Sequence, residues 1–588
     1  MAHWDPFRTK PLKRISSERK GLAGPRAAGP ASLDDLDDAQ TPVMARTLSA
    51  ELNTTWSRNV TSASEKMDKT LSIWDLIGFE IGSIIGPGIF VTTGLAAKDH
   101  AGPAIALSFI CAAGLCVCAG LVYCEFGARI PSAGGAYAYA YNTLGELPAF
   151  VVAALMSLQY FGVASGGCRA AANYIVHFFE SVGLPLPGVF LDVQISPAIN
   201  ISLLAPLQSI WLTMVILRGT NMSTAFGNTV ATANVIMITI FIVVGLMHSD
   251  TSNWTDDFCP NGASGVLSGA SVIFYAFNGF DAVGTLAEEI PNPEKLVPRG
   301  LLGALAIVTV AYIGIGFALT GMVKYSELDD VAPFAHAFVV KKVAWAFYMI
   351  TFSAVLNCWA SSFASIMAQP RLLYAVAKDG LIPELFKKLD PVTKTPIKGT
   401  IIVGGLTAFC SGFLDFSTLS MTVSFGILFV YVFVGVGLLR IRYASLLKAN
   451  PADEAKFSFA LPAYTISMFF GSLAYHQGYA MVAWVCGAIV AVTFGLFVLI
   501  WMRHGDGDKS GAQFLCPCIP FVPLISIAAN THVALSLGLP PLVNVVVYVL
   551  LCSLLYISYG SSHSKLATRQ RRGLRAPLNG NGESGRAE

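Results

Sequence analysis

Long apolar stretches separated by short polar segments make up the chain from about residue 73 to about residue 560. A helix needs about 20 predominantly apolar residues to cross the hydrocarbon core of a bilayer, and stretches of that length recur throughout this region. The pattern predicts an all-α polytopic membrane protein with about fourteen transmembrane helices. We place these spans at residues 73–97, 103–127, 147–177, 196–217, 228–247, 266–288, 300–323, 344–367, 398–414, 418–439, 458–477, 480–502, 517–537 and 541–560.

Both ends of the chain lack the apolar pattern. The first 70 residues combine Pro/Gly/Ser-rich pieces with a basic and an acidic stretch, and the end of the chain is basic. Segments of this composition cannot bury enough apolar surface to fold. We therefore predict a disordered N-terminal tail at residues 1–70, a core of spans one to ten at 71–440, four additional spans at 441–561 and a basic C-terminal tail at 562–588.

The composition excludes several classes of function. Of the 588 residues, 54% are hydrophobic and 13% are charged, whereas about 25% are charged in soluble domains, so the chain is not a soluble enzyme. The net charge of +2 is too balanced for a nucleic-acid binder. Cys516-Pro517-Cys518 has the spacing of metal ligands, but no His or Cys cluster accompanies it. With no phosphate-binding loop or hydrolase triad in the sequence, we predict no metal site, no cofactor and no enzymatic activity.

Lys and Arg concentrate in alternate loops, and this asymmetry predicts the orientation in the membrane. When the N-terminus is placed in the cytosol, the basic loops after spans eight, ten and twelve fall inside together with the basic C-terminal tail. Both termini are therefore predicted to be cytosolic. The loop at residues 248–264 then lies outside, and its Asn253-Trp254-Thr255 is a predicted glycosylation acceptor.

Two of the predicted spans interrupt their own helical pattern. Span one contains Gly82-Ser83-Ile84-Ile85-Gly86-Pro87-Gly88-Ile89-Phe90, with three glycines and a proline in seven residues. Gly costs about 1 kcal/mol and Pro about 3 kcal/mol in a helix interior. Span six contains a milder break, Tyr275-Ala276-Phe277-Asn278-Gly279-Phe280-Asp281. Irregular backbone at membrane depth is tolerated only where it lines a cavity or faces protein.

The spacing of the two breaks indicates a transporter. Spans one and six are five apart, as expected for two five-helix repeats of inverted topology, and paired interruptions of this kind mark a substrate site. The half-helix after the first break would present amides to a carboxylate, and free carbonyls at the second would accept from an ammonium group. We call this pair of interrupted segments the clamp. Its predicted substrate-binding residues are Ser83, Ile84, Ile85, Gly86, Pro87, Gly88 and Ile89 in span one and Tyr275, Phe277, Asn278, Gly279 and Phe280 in span six.

These motifs resemble the cationic amino acid transporter family of the amino acid–polyamine–organocation (APC) superfamily. The resemblance covers about residues 70–565. It is specific for the family and weak for the substrate. Besides the two breaks, the matching motifs are Tyr123 to Tyr137, Glu288-Glu289, Asn292-Pro293, Gln369-Pro370-Arg371, Asp379-Gly380-Leu381, Lys394-Thr395-Pro396, and residues between Pro520 and Asn530 and between Tyr556 and Ser564.

The resemblance implies a LeuT-like five-plus-five inverted repeat with four additional C-terminal helices, working by alternating access. It implies import or exchange of amino acids, often arginine, lysine and ornithine, although some relatives carry neutral ones. A light chain of a disulfide-linked pair would need a Cys in the loop after span three. Residues 181–197 contain none, so no disulfide-linked heavy chain is expected. We expect the plasma membrane rather than a vacuolar or lysosomal one.

Among the residues that depart from the pattern of the family, three are polar. Glu80 stands where the family usually has a small or apolar residue, and Gln159 where bacterial relatives often carry Glu. Asn234 in span five occupies the place of a Lys in proton-coupled bacterial relatives. The absence of that Lys puts proton coupling of that kind in doubt and leaves facilitated diffusion or exchange open.

The ionisable residues within the spans are mainly acidic, which suits a pathway for cations because buried charges are costly and are usually functional. The candidates for coupling or charge selection are Glu80, Glu125, Gln159, Asn234 and Asp281. Glu80 could be a counter-charge for a basic side chain, a proton-binding group or an ion-pair partner. Asp281 could hold the interrupted backbone of span six in place, or it could contact the substrate. Two alternative functions remain open, a neutral or broad-range proton-coupled permease and a transporter-like receptor that senses amino acids.

Overall fold

The structure, a computed structural model, describes thirteen stretches of the chain. They are residues 72–130, 134–184, 186–187, 190, 193–196, 199–217, 223–255, 257–281, 290–330, 332–390, 396–447, 450–509 and 514–565. The described chain is helical apart from one short hairpin. The predicted tails, 1–70 and most of 562–588, lie outside the described residues.

The first helix, α1, runs from Ile73 to Ile84 and begins in a capping box. The Ser72 hydroxyl accepts from the amide of Asp75 at 3.3 Å, and the Asp75 carboxylate accepts from the amide of Ser72 at 2.9 Å. This exchange satisfies two amides that have no partner within the helix. Helix α2 (Pro87–Ala96) follows, and one π-helical and one 3-10 turn lead into α3 (Ile105–Arg129).

The remaining helices are mostly long and apolar. They are α4 (Gly135–Thr143), α5 (Glu146–Ser181), α6 (Leu204–Leu217), α7 (Ser223–Met247), α8 (Ser252–Thr255), α9 (Gly262–Ile273), α10 (Pro293–Met322), α11 (Pro333–Val340), α12 (Ala344–Lys378), α13 (Ile397–Phe413), α14 (Phe416–Leu447), α15 (Pro451–His476), α16 (Ala480–His504), α17 (Phe521–Ser536), α18 (Leu539–Leu555) and the single turn α19 (Ser561–His563).

The start of one predicted span was wrong. The apolar run beginning at residue 196 was assigned to span four, but Val193–Ser196 and Ile199–Ile201 form an antiparallel hairpin, β1 and β2, and α6 begins only at Leu204. The run is rich in Ile and Val, which favour strands as much as a buried helix. Two segments that lie between predicted spans, Gly135–Thr143 and Pro333–Val340, are also helical.

The described helices are those of a multi-pass membrane protein. Eight helical stretches are long and apolar enough to cross a membrane, and five shorter apolar helices accompany them. Large apolar side chains are exposed on their outer faces, including Val310 at 72% and Trp484 at 80%. Apolar exposure on this scale requires a lipid surrounding rather than water.

The interior of the fold is built around α5 and α12, which pack along each other, and around α3 and α10. Helix α1 packs against α7 and α10, and α9 packs against α3. Among the later helices, α17 packs on α3, α9 and α14. The hydroxyl of Tyr464 in α15 donates to the Leu524 carbonyl of α17 at 3.1 Å. The Ser271 and Ser536 hydroxyls join α9 to α17 at 2.6 Å.

Candidate functional site

The predicted interruption of span one is confirmed. Helix α1 ends at Ile84, Ile85 is extended (φ −75°, ψ 99°), and α2 begins at Pro87. Proline is tolerated at a first helical position because the amide that it lacks has no partner there in any helix. Gly86, the N-cap of α2, provides no side-chain cap, so the first amides of α2 are left for another acceptor. The segment from Ile84 to Ile89 is buried throughout.

The second interruption is also present. Helix α9 ends at Ile273, one 3-10 turn covers Phe274–Phe277, and Asn278 is extended (φ −63°, ψ 136°). Gly279 follows with φ 110°, a conformation that other residues rarely adopt. The amide of Asn278 donates to the Tyr275 carbonyl at 3.2 Å. Residues 282–289, which include Glu288 and Glu289, lie outside the described part of the chain.

The two breaks meet backbone to backbone. A Cβ atom added to Gly88 would lie 2.6 Å from the Ala276 Cα, and one added to Gly279 would lie 2.5 Å from the Ser83 carbonyl oxygen. Real Cβ atoms do not approach other atoms so closely, and glycine is therefore required at both positions. The span-one and span-six halves of the predicted clamp are thus brought together in the interior of the fold.

Tyr312 of α10 joins the two breaks, and sequence analysis missed it. Its hydroxyl lies 2.9 Å from the Ala276 carbonyl oxygen and 3.4 Å from that of Ile84. Tyr312 itself is fully buried. The available signal was the single tyrosine of span seven, since a buried tyrosine hydroxyl usually requires a hydrogen-bond partner. The bond shows that carbonyls of the broken segments accept hydrogen bonds from outside their own helices.

Gln159 of α5 lies beside the second break. Its Nε2 donates to Asn278 Oδ1 at 2.6 Å and lies 3.5 Å from Asp281 Oδ1. All three side chains are buried. Sequence analysis singled out these residues separately, and the structure brings them into one polar group.

The aromatic residues of the second break differ in whether their side chains can form hydrogen bonds. Phe277 packs against Phe109 and Tyr312, and Phe280 packs against Tyr123 and Tyr431. Both phenylalanine side chains are fully buried, which leaves their backbone groups as the parts able to contact a substrate. Among the described residues, the buried Tyr275 hydroxyl has no hydrogen-bond partner.

Glu80 and Asn234 lie on adjacent helices. Glu80 is fully buried on α1. Asn234 is 4% exposed on α7, which packs against α1. Their roles in coupling or charge selection stay predictions.

Glu125 belongs to a different group of charges, at the C-terminal end of α3. Its Oε1 lies 2.7 Å from Arg129 Nε and 2.8 Å from Arg442 Nε, and its Oε2 accepts from the amide of Cys516 at 2.8 Å. Both arginines also donate to the Asp508 carbonyl, at 2.9 and 2.7 Å. This network joins α3 to α14 and to the segment between α16 and α17.

Asn253, the predicted glycosylation acceptor, lies in the single turn α8. Its Nδ2 donates to the Gly321 carbonyl at 2.8 Å, and the residue is half-buried. A glycan attached to Nδ2 would replace one of its two N–H groups and leave the other for this bond. Glycosylation at Asn253 stays a prediction.

Comparison with known proteins gives consistent matches along the chain. The profile of the amino acid permease family matches residues 71–504, and that of the C-terminus of amino acid permeases matches residues 514–564. The chain is 31% identical to the vacuolar cationic amino acid transporter 4 of Arabidopsis thaliana, over 85% of this chain and 93% of the relative. It is 34% identical to the methylthioribose transporter of Bacillus subtilis (76% and 93%) and 29% identical to human cationic amino acid transporter 4 (86% and 89%).

Proposed function

Because this chain belongs to the amino acid permease family, we propose that it moves amino acids across a membrane by alternating access, and arginine, lysine and ornithine most readily. The observation that carries the proposal is the meeting of the two broken segments, where Gly88 lies against Ala276 and Gly279 against Ser83. The protein is a transporter and not an enzyme. Relatives named cationic amino acid transporters support the choice of substrate.

The clamp binds the part that all amino acids share. The substrate carboxylate docks at the free amides at the start of α2, where the positive end of the helix dipole also favours an anion. The substrate ammonium group donates to carbonyl oxygens of the 3-10 turn Phe274–Phe277. Tyr312 holds the carbonyls of Ala276 and Ile84 in place. The side chain of the substrate is recognised by the helices that surround the clamp.

The packing of the helices supports a five-plus-five repeat. In a five-plus-five repeat, span one corresponds to span six, and span two corresponds to span seven. The contact of α1 with α10 (spans one and seven) therefore corresponds to the contact of α9 with α3 (spans six and two), and both pairs of helices pack on each other. Paired spans two and seven, three and eight, and four and nine also pack on each other. We propose fourteen spans in all, with spans one, two, six and seven rocking against the others.

We further propose that both termini face the cytosol and that the protein works in the plasma membrane. The loops rich in Lys and Arg support the orientation. A relative from a vacuolar membrane makes that membrane the competing location. Tagging each terminus and testing its accessibility in intact and permeabilised cells would decide the orientation, and microscopy of the same cells would decide the membrane.

Uptake into proteoliposomes tests the proposed function. Labelled arginine, lysine, leucine, alanine and methylthioribose are supplied with and without a proton gradient and with and without an inside-negative potential. We expect arginine and lysine uptake that rises with the potential and ignores the proton gradient, since Asn234 replaces the Lys of proton-coupled relatives. Proton-driven uptake of leucine or alanine would instead identify a neutral permease, and binding without uptake would identify a receptor.

Tyr312→Phe tests the link between the two breaks. Removing the hydroxyl leaves the Ala276 carbonyl without this donor, and a hydrogen bond contributes about 0.5–1.5 kcal/mol net. We expect arginine uptake to fall roughly two- to tenfold, measured as initial rates in proteoliposomes. Tyr464→Phe is the matched control, because its hydroxyl donates to the Leu524 carbonyl far along the chain from either break. Equal effects of the two substitutions would contradict the assignment of Tyr312.

A further inference from the structure

Two histidine side chains lie against each other where α15 and α17 pack together. The ring centroids of His476 and His532 are 4.8 Å apart, and the ring planes are tilted by 33°. The Tyr475 ring lies beside both imidazoles, with centroid distances of 5.3 and 5.8 Å. The Ser472 hydroxyl lies 2.9 Å from Nδ1 of His532. We call His476 and His532 the histidine pair.

The histidine pair lies on the outer side of the membrane in the proposed orientation. His476 is the last residue of α15, and His532 lies one turn before the end of α17. Both helices run from the cytosol outward when both termini are cytosolic. His476 is exposed and His532 is half-buried. Protons from the outer solution can therefore reach both rings.

The helices around the histidine pair carry no charged side chain at this depth. Asp, Glu, Lys and Arg are absent from α9 and α17 and from the outer halves of the other neighbours, residues 105–117 of α3, 416–430 of α14, 465–476 of α15 and 480–492 of α16. Their other titratable groups, with the turn before α16, are thiols and phenols, which are uncharged between about pH 5 and about pH 7.5. They are Cys111, Cys116, Tyr475, Tyr479 and Cys486.

Two carboxylates in the outer turns next to these helices bond elsewhere. Asp257, before α9, lies 3.3 Å from the Tyr325 hydroxyl. Asp415, before α14, accepts from the Thr418 amide at 3.0 Å. Neither bond involves the histidine pair, so the two imidazoles respond to each other's charge without a counter-charge on the surrounding helices.

Protonation changes the force between the two rings. Histidine is the side chain whose ordinary pKa, about 6.5, lies between about pH 5 and about pH 8. Neutral imidazoles at this separation pack on each other as other aromatic rings do. Two imidazolium ions repel each other, as like charges do. The histidine pair is therefore closed in neutral solution and opens in acid.

Opening of the histidine pair would release α17 from α15. Helix α15 packs mainly on α16 and α17, at the edge of the fold. Ser536 of α17, one turn beyond His532, is bonded to Ser271 of α9, and α9 belongs to the spans proposed to rock. While the pair is closed, α17 is held at His532 and at Ser536, and movement of α9 must strain one of these contacts. Once the pair is open, α17 can follow α9.

We propose that the histidine pair is a pH-sensitive contact that slows transport when it is closed. This inference rests on the proposed function, because it requires alternating access and the proposed orientation. Neutral outer solution keeps α17 fixed to α15. Acidic outer solution separates the rings, and turnover rises. The affinity for substrate stays the same, because the pair lies outside the clamp.

Two substitutions of His476 test the proposal in opposite directions. His476→Phe keeps a ring that stays packed at every pH, and His476→Ala removes the ring. The measurement is arginine uptake at saturating concentration in proteoliposomes with equal pH on both sides, at about pH 5 and about pH 7.5, on either side of the ordinary histidine pKa. We expect wild-type turnover to rise about threefold in acid, through a lower barrier to the conformational step. His476→Phe should keep the neutral wild-type rate at both pH values, and His476→Ala the acidic one.

His248→Gln is the matched control. His248 also lies on the outer side, directly after α7, and its Nδ1 is 2.8 Å from the Val244 carbonyl oxygen. This variant should respond to pH as the wild type does. An equal response in wild-type, His476→Phe and His476→Ala protein overturns the proposal, and so does wild-type turnover that is unchanged or lower in acid. If His476→Phe protein does not fold, His532→Phe takes its place.

NMR of the histidine side chains in the purified protein separates this proposal from the proposed function. Interacting groups titrate in coupled steps, so the titration of His532 should change in His476→Phe protein and stay the same in His248→Gln protein. An identical titration of His532 in wild-type and His476→Phe protein overturns the pH-sensitive contact even where transport is normal. Coupled titration in protein that transports no amino acid at either pH overturns the proposed function and supports the contact.

Discussion

Gly279→Ala should reduce amino acid uptake roughly ten- to a hundredfold. The methyl group would lie 2.5 Å from the Ser83 carbonyl oxygen, and φ 110° is itself unfavourable for alanine. Backbone strain of this kind costs about 1–3 kcal/mol, which corresponds to a factor of roughly five to 150 in rate and brackets the expected loss. Gly88→Ala should act similarly without strain in φ, because its methyl group would meet the Ala276 Cα at 2.6 Å. Initial rates in proteoliposomes containing equal amounts of correctly folded protein measure both effects.

Two other glycines separate the close approach from other effects of an added methyl group. Gly145 has φ 98° and no atom within 4 Å of the position that a methyl group would take, so Gly145→Ala introduces the strain alone. Gly114 lies in α3 with equally open surroundings and matches Gly88. Uptake that is as low in the Gly145 and Gly114 variants as in the Gly279 and Gly88 variants would mean that the meeting of the breaks is not essential for transport.

Glu125→Gln should destabilise the folded protein by about 3–5 kcal/mol, the usual effect of removing one partner of a buried ion pair. The carboxylate is fully buried and pairs with both Arg129 and Arg442, which is itself 1% exposed. The variant leaves the buried Arg442 guanidinium and the partly buried Arg129 guanidinium without this counter-charge. The loss of stability is measured by thermal unfolding of the purified protein, in which the fraction that stays monodisperse after heating is determined.

Lys565→Gln provides the comparison for an exposed pair. Lys565 lies 2.9 Å from the Asp379 carboxylate, with its side chain 53% exposed. Exposed pairs contribute about 0–1 kcal/mol, and this variant should unfold close to the wild-type temperature. Glu125→Asp keeps the charge and should recover part of the stability. A Glu125→Gln protein as stable as Lys565→Gln would show that the network does not hold these helices together.

The apolar periodicity was sufficient to predict most helices, because burial in lipid leaves few other structures for a long apolar segment. The breaks were predictable for a related reason, since Gly86 and Pro87 cannot continue a regular helix without cost. The hairpin at Val193–Ser196 and Ile199–Ile201 was not predicted. A short apolar run rich in β-branched residues fits a strand and a helix equally well, and only its pairing distinguishes them.

The partners of single polar residues could not be predicted. Tyr312 was one tyrosine in an apolar span, and nothing local indicates that it reaches the Ala276 carbonyl, 36 positions away in sequence. Gln159 and Asp281 were both singled out, but their proximity depends on how α5 packs beside the second break. Glu125 has Arg129 one helical turn away, yet its pairing with Arg442 depends on the packing of α3 against α14.

Helix α17 touches both sides of the proposed motion. It packs on α3 and α9, which belong to the rocking spans, and on α14, which does not, and the Ser271–Ser536 bond fastens it to α9. In the proposed motion, α17 cannot keep its contacts with α3 and α9 and its contacts with α14 unchanged at the same time, so each transport cycle must rearrange some of them. A lipophilic compound that bound between α17 and α3 should therefore slow turnover at saturating substrate without competing for the clamp.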